Sequence, residues 1–479
     1  MELSELESLL DTPKELVEKV IHLTPDLPDY VFDLEPEDHK VVKDLNHRPW
    51  RDVDVATGVL DSNGNMTYRV EKRDVHRIPS STRKQIIEWA VNMNVSGGIE
   101  RDYTIRDGVS SDPVMVEMID KTWDDNKLDY IAQEIDRLKK SYTQCLVVWY
   151  SVPAEEGFWD GIAPAVSKFK MRCSIFSPED GSVIIPIYDQ YRDQIACARK
   201  YVVSVGGKDV NKLDLHLKGK TITYTEVSGT WEPSVTVLPF NKANYVFHGQ
   251  KRPEYADILP KDERIEEIDS DTADENQISA FPILAATGEI ISSTGGGTKN
   301  TRKSVQLENG ADLKYVEAKG SQQSATDERK NLRQDIYDET ATPQISFEQI
   351  KGSSNLPGVT IEMMFLPATN KARKNQQGDL GMEWQRHLNL LKACMAEINL
   401  KVRPSVTMSI KPKFKIVLPR NLTEEYNRII ALVSAGLMSV RTAVTTLGFV
   451  DNIDEEIAAI EAEVAKRALA LRPANTPTE

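Results

Sequence analysis

The chain has 479 residues, of which 40% are hydrophobic and 28% charged. That is length for about three domains with real cores, and too apolar a composition for a disordered tail. Asp and Glu number 74 against 59 Lys and Arg, a formal net charge of −15, which argues against a surface that adheres throughout to nucleic acid or anionic membrane.

Residues 1–30 read as one or two short amphipathic helices: Thr12-Pro13-Lys14-Glu15 has the form of a capping box, followed by Leu16, Val17, Val20 and Ile21 at helical spacing. MELSELESLL carries acids where a signal peptide needs positive charge, and no apolar run approaches a membrane span, so a cytoplasmic protein with no membrane contact is expected. DSNGN (61–65) is a hairpin-type turn. A helix follows Ser81, and another is predicted from about Val114 to Tyr142. Over 143–250 the period changes: CLVVWYSV, CSIF, VIIPIYD, ARKYVVSV and KTITYTEV read as strands, with a turn at Asp180-Gly181.

Residues 254–279 hold ten acids and two bases, and their helix has few apolar positions. A second polar helix spans 321–342, with Leu332, Ile336 and Tyr337 to bury. Helices so polar cannot make a monomeric core; they are expected to pack sparingly against copies of themselves or to bridge domains. A strand-like insert with a triple glycine, Gly295–Gly297, lies between them. ISFEQIKGSSNLPG (345–358) reads as a loop, and 359–400 as a long helix kinked or broken at Pro367, Gly378 and Gly381. Strand returns over 405–420, and three short capped helices opened by Asn421, Ser439 and Asp451 or Asn452 form a small helical domain before the tail RPANTPTE.

Enzyme motifs are missing from the sequence. GGGTKNT lacks the GxxxxGK[ST] pattern of a phosphate loop, the seven histidines show no HxxxH or HExxH pairing, and there is no GxSxG. Cys145, Cys173, Cys197 and Cys394 are far apart and read as buried apolar residues, not as a disulfide framework or zinc site. The acids from Glu263 to Glu275 lack an EF-hand pattern and read as a solvated helix face, so no metal, cofactor or catalytic residue is expected. Lys371, Arg373 and Lys374, with Lys351 in the preceding loop, read as surface charge unless their helix faces nucleic acid, where they would contact phosphates.

Four segments in order resemble the portal proteins of tailed bacteriophages. They are FSPEDGSVIIPIYDQYRDQIACARKYVV with KTITYTEV, then PEYADILPKDERIEEIDSDTADENQISAFPILAATG. GSSNLPGVTIEMMFLPATNKARKN and FKIVLPRNLTEEYNRIIALVSAGLMSVRTAVTTLGFVDNIDEEIAAIEAE complete the set. The resemblance covers roughly residues 80–465. It implies an α+β portal fold with a strand-rich wing (31–253, with 401–420 returning to it), a helical stem (254–279 and 321–342) and a small α/β clip (280–320). A tunnel loop (343–358), a kinked tunnel helix (359–400) and a helical crown (421–479) follow, after N-terminal helices over 1–30. Lys351, Gly352, Ser353, Ser354 and Asn355, with Lys371, Arg373 and Lys374, would then border the DNA channel. Ile290, Gly295, Gly296, Gly297, Lys299, Arg302 and Lys303 would belong to the clip, where strands pair between subunits and terminase or adaptors dock. Glu263, Glu266, Glu267, Leu332 and Ile336 would belong to the stem.

The implied function is a homo-oligomeric ring, a dodecamer in most relatives, at one capsid vertex of the virion. It would be assembled in the host cytoplasm with major capsid and scaffolding proteins. It would bind the terminase large subunit and head–tail adaptors, and pass double-stranded DNA during packaging and ejection. A different assembly protein, such as an adaptor or capsid component, and a hydrolase with a diffuse site are the alternatives.

Overall fold

The computed structural model describes residues 2–62, 64, 66–103, 112–162, 167–279, 283–287, 290–294, 304–307, 312–316, 322–344, 362–418, 422–450 and 452–470. The chain divides into two compact units, Met1–Gln344 with Pro367–Ile416, and Ile345–Leu366 with Val417–Glu479.

In the first unit, α1 (Leu3–Ser8) and α2 (Pro13–Ile21) bury Leu6, Leu16, Val17 and Val20. Pro13 opens α2, but the expected capping box does not form. Thr12 also closes the preceding turn, and its hydroxyl donates to the Leu9 carbonyl at 3.3 Å instead. After α3 (Lys40–Lys43), strands β1 (Arg51–Leu60) and β2 (Met66–Arg73) pair antiparallel as a hairpin around the DSNGN segment. Next come α4 (Thr82–Val95) and β3 (Ile99–Asp102).

The single helix expected over 114–142 is two, α5 (Pro113–Asp125) and α6 (Leu128–Tyr142). Lys127 takes φ 51°, a left-handed conformation through which an α-helix cannot run. The Asn126 amide fixes the corner by donating to the Thr122 and Met171 carbonyls at 2.8 and 3.0 Å.

Eight antiparallel strands follow: β4 (Gln144–Pro153), β5 (Phe169–Phe176), β6 (Val183–Tyr188), β7 (Gln194–Val205), β8 (Lys208–Leu217), β9 (Lys220–Val227), β10 (Thr230–Val237) and β11 (Tyr245–Gly249). They build two sheets, β11-β4-β5 and β10-β9-β8-β7-β6. The Asp180-Gly181 turn therefore does not join a hairpin. Ser177 and Asp180 cap each other across one 3-10 turn, Gly181 takes φ 77°, and the chain passes from one sheet into the other.

Alternation along β6–β9 puts Ile185, Ile187, Ala196, Ala198, Leu213, Leu215, Ile222 and Tyr224 on one face of the larger sheet, and α1 and α2 cover it. This gives the N-terminal helices, unplaced by the sequence, a structural role.

The two polar helices are α7 (Leu259–Ser279) and α8 (Gln322–Thr340). Between them β12 (Ile283–Thr287) pairs with β15 (Asp312–Val316), and β13 (Ile290–Thr294) with β14 (Ser304–Leu307), as nested antiparallel ladders. Among its described residues the insert is all strand, and both ladders form within the chain.

The kinked helix is resolved as α9 (Leu366–Gln377) and α10 (Asp379–Ile398), broken at Gly378. The helical run also breaks just before Pro367: residues 362–364 are helical, Phe365 is a turn, and Pro367 sits in the first turn of α9, where its missing N–H costs nothing. Gly381 does not break α10; it lies inside it, where a Cβ would collide with the Gln376 carbonyl oxygen. The strand expected over 405–420 shrinks to β16 (Lys411–Phe414), paired with β3. The residues before it instead form a 3-10 helix, Leu400–Thr407, opened by the Asn399 side chain accepting from the Lys401 N–H. α10 is the axis of the main core: Trp384, Leu388, Leu391 and Met395 pack with Trp123 and Trp149.

In the second unit, α11 (Leu422–Ser434), α12 (Val440–Leu447) and α13 (Ile453–Ala470) make the three C-terminal helices. Ser439 caps α12 by accepting from the Thr442 N–H at 3.1 Å, and Gly448 ends it at φ 65°. Asn421, Asp451 and the tail lie outside the described residues. No helix among the described residues is long and apolar enough to cross a membrane.

Candidate functional site

The acidic face of α7 is not solvated as its composition suggested. Asp262, Glu266, Ser270 and Asp274 recur every fourth residue, so they share one side of the helix, and Asp262 and Glu266 are 0% and 1% exposed. Residues 76–83 run along that side and hydrogen-bond to it. Asp262 accepts from Arg83 Nε at 2.8 Å and from the Ser80 hydroxyl at 2.6 Å. Glu266 Oε1 accepts from the Ser80 N–H at 2.8 Å and meets His39 Nδ1 at 2.5 Å. Ser270 accepts from the Ile78 N–H, and Asp274 from the His76 N–H and Arg48 Nη2. The helix that lacked apolar residues is thus seated within its own subunit by a buried polar seam.

His39, Asp262 and Glu266 bring donor atoms within 4.8 Å of one another, a grouping that sequence spacing did not reveal. Arg83 already supplies the positive charge there, so a metal ion would have to displace a buried guanidinium.

The other residues that the resemblance assigns to a stem lie on α7 and α8. Glu263 pairs with Lys40 at 2.8 Å, and Glu267 meets Arg264 at 3.1 Å and His47 at 3.2 Å. Leu332 packs half-buried against the main core, and Ile336 is fully buried. Exposed ion pairs, Arg264 to Glu328 at 2.9 Å and Arg329 to Asp269 at 2.6 Å, link α7 to α8.

The basic cluster on α9 divides. Lys371 is not available for phosphates: its ammonium is paired with Glu254 and donates to the Thr340 carbonyl at 2.7 Å. Burial alone would raise the Glu254 carboxyl, but Lys140 at 3.1 Å and Lys371 outweigh it and hold it at about 2. Arg373 and Lys374 are exposed, and Lys374 borders a polar cleft of about 410 Å³ beside the break at Gly378. Ile290 begins β13 opposite Leu307. Lys351, Gly352, Ser353, Ser354 and Asn355, and likewise Gly295, Gly296, Gly297, Lys299, Arg302 and Lys303, lie outside the described residues.

A search among curated proteins finds no match. Three solved structures are similar over most of their length at 10% sequence identity. The virion of a native gene transfer agent particle matches with a TM-score of 0.37, covering 77% of this chain and 90% of that one. The neck of an empty particle, computed with C6 symmetry, gives 0.39 with 78% and 89% coverage. The neck of a native particle, computed with C12 symmetry, gives 0.33 with 77% and 90%. At such scores, membership rests on the sequence profile described as "Phage portal protein, SPP1 Gp6-like", which matches residues 38–468. With that match spanning nearly the whole length, the chain belongs to the SPP1 Gp6-like phage portal protein family.

Proposed function

We propose that this protein is the subunit of a portal ring at one vertex of a phage-type capsid, a conduit for double-stranded DNA in packaging and ejection. The observation that carries the reading is the family match over residues 38–468. In this reading α7 and α8 form the stem, residues 280–320 the clip that receives the terminase large subunit and later the head–tail adaptors, and residues 421–479 the crown. The ring works as a passage and not as a catalyst, and motor force comes from the terminase. Its acidity suits a conduit, because a subunit charge of −15, multiplied around a ring, keeps a sliding duplex from sticking.

Negative-stain microscopy and native mass spectrometry of the purified chain test the assembly, with closed rings of about twelve subunits expected. A monomer at every concentration and ionic strength overturns it. DNA contact by α9 is tested by replacing Arg373 and Lys374 together with Ala. If these side chains touch the duplex, filled heads of the variant retain less DNA, and the defect grows with salt. Unchanged packaging and retention removes them from the channel.

A further inference from the structure

A second buried polar array lies in the main core, away from the seam on α7. It joins α10 to three other elements. Lys139 on α6 donates to both oxygens of Glu383 on α10, at 2.7 and 2.8 Å. Glu383 Oε2 lies 2.9 Å from His248 Nδ1 on β11, and its Oε1 accepts from the Gly249 N–H at 3.2 Å. His248 Nε2 lies 2.8 Å from His387 Nε2 on α10, and Trp149 Nε1 on β4 donates to His387 Nδ1 at 3.1 Å. Both imidazoles are fully buried.

The indole fixes every proton in this line. Its N–H can only donate, so His387 Nδ1 must accept and His387 carries its proton on Nε2. That proton points at His248 Nε2, which must therefore accept, leaving the His248 proton on Nδ1 to donate to Glu383. An added proton has no place in the closed array. On His248 Nε2 it faces the His387 Nε2–H. If His387 shifts its own proton to Nδ1 to make room, that proton faces the Trp149 N–H.

The other groups around the pair offer no refuge. Both Glu383 oxygens are occupied, and although burial works to raise its carboxyl, His248 and Lys139 outweigh this and hold it below the ordinary range. Cys145, opposite His248 across the strands, is a thiol whose pKa burial drives upward, so it stays neutral.

We propose that the Trp149–His387–His248–Glu383–Lys139 array is an acid-released latch, which holds the first turns of α10, next to the break at Gly378, onto β4, β11 and α6 at neutral pH. Burial, and then the neighbouring His248, push the His387 pKa well below the usual imidazole value. An opened latch therefore binds more protons than a closed one. By linkage, the closed state keeps its full advantage above about pH 6.5 and loses it as the pH falls below that value.

The test is hydrogen exchange, read by mass spectrometry on the full chain in its assembled form, at pH 7.5 and 5.0 and corrected for intrinsic exchange rates. Protection over residues 379–390 and 245–249 should fall roughly tenfold or more at the lower pH, while α5 keeps its own. The double variant His248→Gln/His387→Gln, which has no imidazole to titrate, should show the same protection at both values. Trp149→Phe removes the donor that blocks His387 Nδ1 and lets the pair accept a proton, so the drop should shrink. Equal protection of the wild-type chain at the two pH values overturns the proposal, as does a full drop in the double variant. Should that variant not fold, a Trp149→Phe drop as large as the wild type's does the same.

Discussion

Asp262→Ala is expected to lower the stability of the first unit by about 3–5 kcal/mol, because it strands a buried guanidinium without its counter-charge. Arg83 and Asp262 are each nearly inaccessible, at 1% and 0% exposure. Removing Asp262 also frees the Ser80 hydroxyl that now donates to it at 2.6 Å. Chemical denaturation of the full chain, followed by a probe of the unit's buried tryptophans, measures the loss. Arg264→Ala, which breaks the exposed pair with Glu328, is the control and should cost under about 1 kcal/mol. The double replacement Arg83→Met/Asp262→Leu should recover much of the deficit, since a well-packed apolar pair can stand in for a buried ion pair. If Asp262→Ala unfolds with the wild-type midpoint, the seam does not seat α7.

Removal of residues 2–22 should be at least as damaging. Leu6, Leu16, Val17 and Val20 are fully buried against the five-stranded sheet. At about 1.5–3 kcal/mol for each buried aliphatic side chain, their loss removes roughly 6–12 kcal/mol of apolar burial. The truncation also uncovers Ile185, Ile187, Leu213, Leu215 and Ile222 together, a patch that invites aggregation. The expected result is a chain recovered as aggregate, or one that binds an apolar dye and melts earlier than the full protein. A soluble truncation with the wild-type melting curve would show that the sheet does not depend on this cover.

How far the sequence could be read depended on the range of the interactions involved. KTITYTEV alternates, and alternation states which side chains share a face, so the strand period was visible locally. Gly448 and Ser439 end and begin helices through bonds spanning a few residues, and both behave as read. The break at Lys127 escaped notice because a lysine gives no hint of a left-handed backbone. The sheet change after Ser177 was hidden for another reason: a tight turn looks the same whether its two strands pair with each other or with different neighbours.

The candidate sites were the least legible. Asp262 and Glu266 sit in an acidic run that composition places in water, and the groups that bury them are 179 to 227 positions away along the chain. The same distance in sequence hid the meeting of His248 with His387, which no spacing motif could report. Lys371 read as a free cation because nothing local marks Glu254 as its partner. Family resemblance was legible for the opposite reason: it rests on the order of whole segments, which survives when individual contacts do not show.

The nested ladders between α7 and α8 carry one more implication. Ile283 and Val316 are cross-strand partners, so β12 begins and β15 finishes within about 5 Å of each other. A segment with its two ends side by side can be lengthened, trimmed or exchanged for another without dragging the flanking helices apart. Such an insert is an interchangeable cassette.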